Sequence, residues 1–194
     1  MNAGADDDRD PLPPTPTFDG VTLGFGRVVV IEWLGPGDKK TGKELVEWME
    51  RKGFHTAKRG RLIDLYQPET AGDVLEILRN VAEETRCGGN IPLIHIEAHG
   101  SPEAEPVGYC HRDADGVVSV LTWEQLTPAL REINIASRCN LLLVSAACWG
   151  HAAILASCRT DRVPFIACVG FGSEVNARSV LEAMGCCRFH RHRV

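Results

Sequence analysis

Two short, predominantly apolar runs, Ile91 to Ala98 and Asn140 to Ala147, constrain the fold of this chain more than any other feature. Runs of this length and composition read as strands at the centre of a parallel sheet, covered by helices on both faces. Parallel strands cannot be joined by tight hairpins, so helical crossovers must lie between them. The sequence supplies such segments in alternation. Arg27 to Leu34 reads as the first strand, and Thr41 to Lys52 as a helix with Leu45, Trp48 and Met49 at helical spacing. A weaker strand over Arg61 to Tyr66 precedes a helix over Thr70 to Arg86 that carries Val74, Ile77, Leu78 and Val81. Val107 to His111 and Val117 to Leu121 flank the turn Asp113-Ala114-Asp115-Gly116 and read as a hairpin. Thr122 and Gln125 form a capping box at the start of a third helix. Gly150 to Cys158 reads as a helix, Pro164 to Val169 as a strand and Glu174 to Met184 as the last helix. The expected fold is α/β, a three-layer α/β/α sandwich with a mostly parallel central sheet.

A chain of 194 residues holds one substantial core and is too short for two ordinary domains. Residues 1–20, rich in Asp and Pro, read as a disordered leader, 21–185 as the folded domain and 186–194 as a basic tail. The net charge of −5 leaves no basic footprint for nucleic acid. No apolar run approaches a membrane span, and the N-terminus lacks the basic-then-apolar order of a secretion signal. A cytoplasmic location is therefore expected, and the eight cysteines, scattered over apparent core elements, read as free thiols.

The chemistry concentrates where the two apolar runs end. His99-Gly100 follows the first, and Cys148-Trp149-Gly150 follows the second. Open α/β sheets bind ligands outside the carboxyl ends of their strands, so a base and a nucleophile would meet there. A thiol attacks as thiolate and needs a base titrating near neutrality, which imidazole provides. A helix beginning at Gly150 would aim its N-terminus at Cys148, and Gly100 would let its own N–H approach the reacting carbonyl. The loop Gly170-Phe171-Gly172-Ser173 also leaves a strand end, and Ser173 is a candidate lining residue for a substrate groove. His95 and Glu97 share a strand face with His99, which makes Glu97 a candidate to orient it, although a hydrogen-bonded core histidine is the ordinary reading of His95.

The sequence Ala147-Cys148-Trp149-Gly150, with His99-Gly100 about 50 residues upstream, resembles the caspase-haemoglobinase cysteine peptidases. That clan includes caspases, metacaspases, separases and the bacterial caspase-like CHAT proteases, which this chain is most similar to. The order His then Cys sets it apart from papain-like enzymes. The resemblance implies catalytic His99 and Cys148, an oxyanion held by the backbone amides of Gly100 and Cys148, and a P1 pocket floored near Ala146. Where caspases carry glutamine and metacaspases an acid, this chain has Ala146, so the implied P1 residue is apolar or small. The resemblance further implies a protein or peptide substrate, a protein activator, no cofactor and a role in bacterial defence or cell death.

Other readings compete. Gly37 to Lys43 has P-loop spacing between a strand and a helix, but Glu44 stands where Ser or Thr should bind Mg²⁺, and Asp38 adds a second misplaced carboxylate. Cys186, Cys187, His190 and His192 have the side chains of a zinc site, against the plainer reading of a basic tail. A noncatalytic caspase-like interaction module is the remaining alternative.

Overall fold

The computed structural model describes residues 25–52, 63–100, 108–157 and 162–186. The expected leader, and of the expected tail all but Cys186, lie outside these residues, and with them Cys187, His190 and His192 of the zinc reading. Among the described residues seven strands form one sheet. In chain order the elements are β1 (Arg27–Trp33), α1 (Thr41–Arg51), β2 (Ile63–Tyr66), α2 (Ala71–Arg86), β3 (Pro92–Gly100) and β4 (Gly108–Arg112). They continue as β5 (Val118–Thr122), α3 (Trp123–Ala136), β6 (Leu142–Ala146), α4 (Ala152–Ser157), β7 (Ala167–Gly170) and α5 (Ala177–Cys186).

Five strands run parallel in the order β2-β1-β3-β6-β7. The expected mostly parallel α/β architecture is the one observed. Alternation along each strand divides the core in two. Val29, Ile31, Trp33, Ile94, Ile96 and Leu143 pack with α2, α3 and α4. Val28, Val30, Leu93, Val144 and Ala146 face Leu45 and Met49 of α1 and Val180 of α5. Helices thus cover both faces of the sheet.

The helix starts follow from capping chemistry. The Thr70 and Thr122 hydroxyls accept from the amides of Asp73 and Gln125, whose side chains accept from the Thr70 and Thr122 amides in return. Helix α1 lacks such a cap and is held from below. Buried Glu32 on β1 accepts from the amides of Gly42 and Lys43 at 2.8 and 3.1 Å, and the Thr41 hydroxyl donates to buried Glu97 on β3. The P-loop reading fails on this point, because the amides that would cradle phosphate already hold a carboxylate.

Three expected boundaries shift. His99 and Gly100 are not loop residues: β3 runs through both, pairing them with Cys110 and Tyr109 of the antiparallel β4–β5 hairpin after β6 has ended. Helix α4 starts at Ala152, because the Gly150 amide closes a turn onto Ala147 and the His151 amide donates to Phe171. The last helix starts at Ala177, after Asn176 caps the Ser179 amide at 3.0 Å, which leaves residues 171–175 outside the helix.

Candidate active site

Register brings the two motifs together. β3 and β6 pair in parallel from Leu93 with Leu142 to Glu97 with Ala146, so two further residues along each chain lead to His99 and Cys148. The spacing between the motifs equals the offset between these strands, which is why it matters. Gly100 confirms the approach from the other side. A Cβ built on it would lie 2.0 Å from the Cys148 carbonyl oxygen and 3.0 Å from the Cys148 Cβ. Only glycine allows the main chains so close.

The partner of His99 is one the sequence did not suggest. Its Nε2 lies 2.9 Å from Oδ2 of Asp38, in the loop between β1 and α1, and the same oxygen accepts from the Gly35 amide at 2.7 Å. The Lys40 ammonium closes this loop by donating to the carbonyls of Leu34 and Gly35 at 2.6 and 3.0 Å. Below it, Glu97 and Glu32 anchor the start of α1. Partial burial alone would raise the Asp38 carboxyl, but its hydrogen bond and charge contact with His99, the Gly35 amide and the charge of Lys40 together hold it below its ordinary 3.8. An ionised carboxylate only accepts, so His99 carries its proton on Nε2 and leaves Nδ1 as the basic nitrogen. At side-chain exposures of 49% and 31% this pair adds about 1 kcal/mol or less to stability. Its consequence is orientation. The contact follows from the sheet order: β1 lies beside β3 with Trp33 opposite Ala98, so residues just after β1 fall near His99.

Glu97 does not orient His99. Its carboxylate is 1% exposed and is shared between His95 Nε2, at 2.8 Å, and the Thr41 hydroxyl. His95 is a core histidine bonded to that acid. Helix α4 is also not placed as expected, since it starts beyond the Cys148 turn. That turn holds Trp149 at a φ of 57°, a left-handed conformation that a tryptophan adopts only under constraint.

Cys148 is half-buried, and its thiol is engaged by the main chain of Val175. His99 and Cys148 are not hydrogen-bonded to each other in this conformation. Ala146 is buried in the apolar cluster against which Phe171 and Val175 pack, and Ser173 is exposed with its carbonyl accepting from the Trp149 amide at 3.2 Å. Cys110 stands opposite His99 in register. Burial, opposed by Arg112 and reinforced by Cys148 and Asp38, holds the Cys110 thiol above its ordinary value, while burial pushes Cys168 up to about 12. Both are poor nucleophiles at neutral pH. Cys87, Cys110, Cys139, Cys148 and Cys168 are all free thiols.

Asp38→Asn tests the orienting contact. An amide can donate to Nε2 and favour the other tautomer, so the fraction of His99 that carries its proton on Nε2 is expected to fall. The ring nitrogen shifts of His99 should report the change. Because folding lowers the Asp38 pKa, its contribution to stability is complete above the ordinary 3.8 and is lost as pH falls through the lower folded value. Urea unfolding of wild type and D38N should therefore differ at neutral pH and converge in strong acid.

Among the described residues no group of three or more His, Cys, Asp or Glu side chains is placed to hold a metal ion, and no helix is long and apolar enough to cross a membrane. The sequence matches no protein-family model and no curated protein, which leaves the geometry of this edge as the basis for function.

Proposed function

We propose that this chain is a cytoplasmic cysteine endopeptidase of caspase-like type, acting through Cys148 as nucleophile and His99 as acid and base. The carrying observation is the β3–β6 register, which sets the two motifs side by side at the carboxyl edge with Gly100 against the Cys148 main chain. Asp38 supports the same reading by accepting from Nε2 of His99.

The chemistry follows from these positions. His99 Nδ1 takes the Cys148 proton, and the thiolate adds to the scissile carbonyl of an extended peptide. The resulting oxyanion is held by the amides of Gly100 and Cys148. His99 returns the proton to the leaving amine as the C–N bond breaks, and water activated by the same imidazole hydrolyses the thioester. An apolar or small P1 residue suits the Ala146 surroundings, where neither charge nor a side-chain hydrogen bond is offered. The substrate is a protein or peptide, a protein activator is a second partner, and the setting is bacterial defence or cell death.

One observation favours a second reading, a noncatalytic interaction module: the Cys148 thiol is bonded to Val175 and not to His99. A diverse peptide library separates the two. A peptidase is expected to release fragments with apolar or small P1 residues, and a peptide aldehyde of that P1 class should block both cleavage and alkylation of Cys148. Absence of cleavage both from folded wild type and from a folded Phe171→Ser, Val175→Ser variant, in which the contact of Val175 with the thiol is loosened, would overturn the peptidase reading.

A further inference from the structure

Residues 171–175, between β7 and α5, cross the turn that carries Cys148, with a bend at Gly172 and Ser173. Their carbonyls engage it at alternate positions. The Phe171 carbonyl accepts from the His151 amide at 3.2 Å and from His151 Nδ1 at 3.1 Å. The Ser173 carbonyl accepts from the Trp149 amide at 3.2 Å. Val175 completes the series at the thiol itself: its amide donates to Cys148 Sγ at 3.4 Å, and Sγ lies 3.6 Å from its carbonyl. The side chains of Phe171 and Val175 pack against the cluster that contains Val144, Ala146 and Val180. Apolar residues of the chain itself thus pack against the cluster that contains Ala146, near which a substrate's P1 residue was placed.

We infer that this segment is an internal strap that occupies the substrate side of Cys148 and must leave before a peptide can bind. The inference rests on the peptidase reading for its meaning, but the contact itself does not. While Val175 brackets the thiol, the thiol proton is directed at a carbonyl oxygen and not at His99. Release would expose the apolar surface around Ala146 and free the thiol to pair with His99. A segment that fits there with Phe171 and Val175 is a mimic of an apolar peptide, which is the substrate class that would replace it.

The strap is built to detach at modest cost. At its start, Gly170 is pressed on the nucleophile turn, where a Cβ would meet the Gly150 carbonyl carbon at 2.6 Å and the His151 amide at 2.7 Å. In its middle Gly172 has nothing within 4 Å of a built Cβ, and Ser173 and Glu174 are exposed. A surface segment anchored at alternate residues and exposed between them opens locally, below the free energy of global unfolding.

The test is the rate of Cys148 alkylation by iodoacetamide in the full-length protein, mapped by mass spectrometry, with exposed Cys87 and Cys139 as internal references. Substituting both strap anchors, Phe171→Ser with Val175→Ser, is expected to raise the Cys148 rate by about tenfold or more, with the reference rates unchanged. An unchanged or slower Cys148 rate in a variant that melts cooperatively would overturn the strap. Should the double variant lose its cooperative melt, Val175→Ser alone carries the same comparison, with a several-fold rise expected. Peptide hydrolysis measured in parallel separates this inference from the function it rests on. Faster alkylation without hydrolysis in any variant sustains the strap and removes the peptidase. Hydrolysis by wild type with alkylation unaffected by either substitution sustains the peptidase and removes the strap.

Discussion

Cys148→Ala and His99→Ala are each expected to lower kcat/KM for peptide hydrolysis by about 10³-fold or more, with a melting temperature close to that of the wild type. His99 is half exposed at the sheet edge and Cys148 half-buried in a turn, so neither substitution empties a packed core site. The two groups act as a unit, and the double variant should be scarcely worse than either single one. Multiplying losses would mean that the residues contribute separately. Retained hydrolysis in Cys148→Ala would place the nucleophile elsewhere. Neither Cys110 nor Cys168 is a ready substitute, because burial keeps both thiols protonated near neutrality.

Gly100→Ala is expected to be nearly as damaging by a different route. The added Cβ would stand 2.0 Å from the Cys148 carbonyl oxygen and 2.8 Å from its carbonyl carbon, and main-chain atoms cannot swing aside as a flexible side chain can. Either β3 or the nucleophile turn must move, and with it the Gly100 amide assigned to the oxyanion. A displacement near 1 Å at reacting groups costs about 10² in rate, and forced overpacking costs about 1–3 kcal/mol of stability. Steady-state kinetics and urea unfolding should show both losses together. Gly72→Ala on α2 is the matched control, since its Cβ would meet only the Thr70 hydroxyl oxygen at 3.5 Å. That variant should keep full activity and be equally or more stable.

The chain's own pattern determined most of the architecture. Apolar runs the length of one strand, alternating with amphipathic segments, leave a covered parallel sheet as the way to bury both strand faces, and the capping boxes at Thr70 and Thr122 mark helix starts by local hydrogen bonding alone. The spacing of His99 and Cys148 was legible for the same reason: in a parallel pair it can equal the register offset, and here it does.

What the sequence left open depends on contacts between distant segments. Asp38 looked like a misplaced charge in a phosphate loop, because nothing local says that β1 lies beside β3 and carries this loop to His99. Glu97 shares a strand face with His99, yet it turns to His95 and Thr41, because a buried carboxylate goes where donors can satisfy it. The ends of α4 and α5 moved because His151 and Val175 make hydrogen bonds across the nucleophile turn, and these compete with helix formation at the first residues of each helix. Local chemistry therefore determined the elements and the placing of His99 and Cys148 beyond paired strand registers. Tertiary packing alone decided which acid orients the histidine and which segment covers the thiol, since both choices are made between residues that meet only once the sheet has formed.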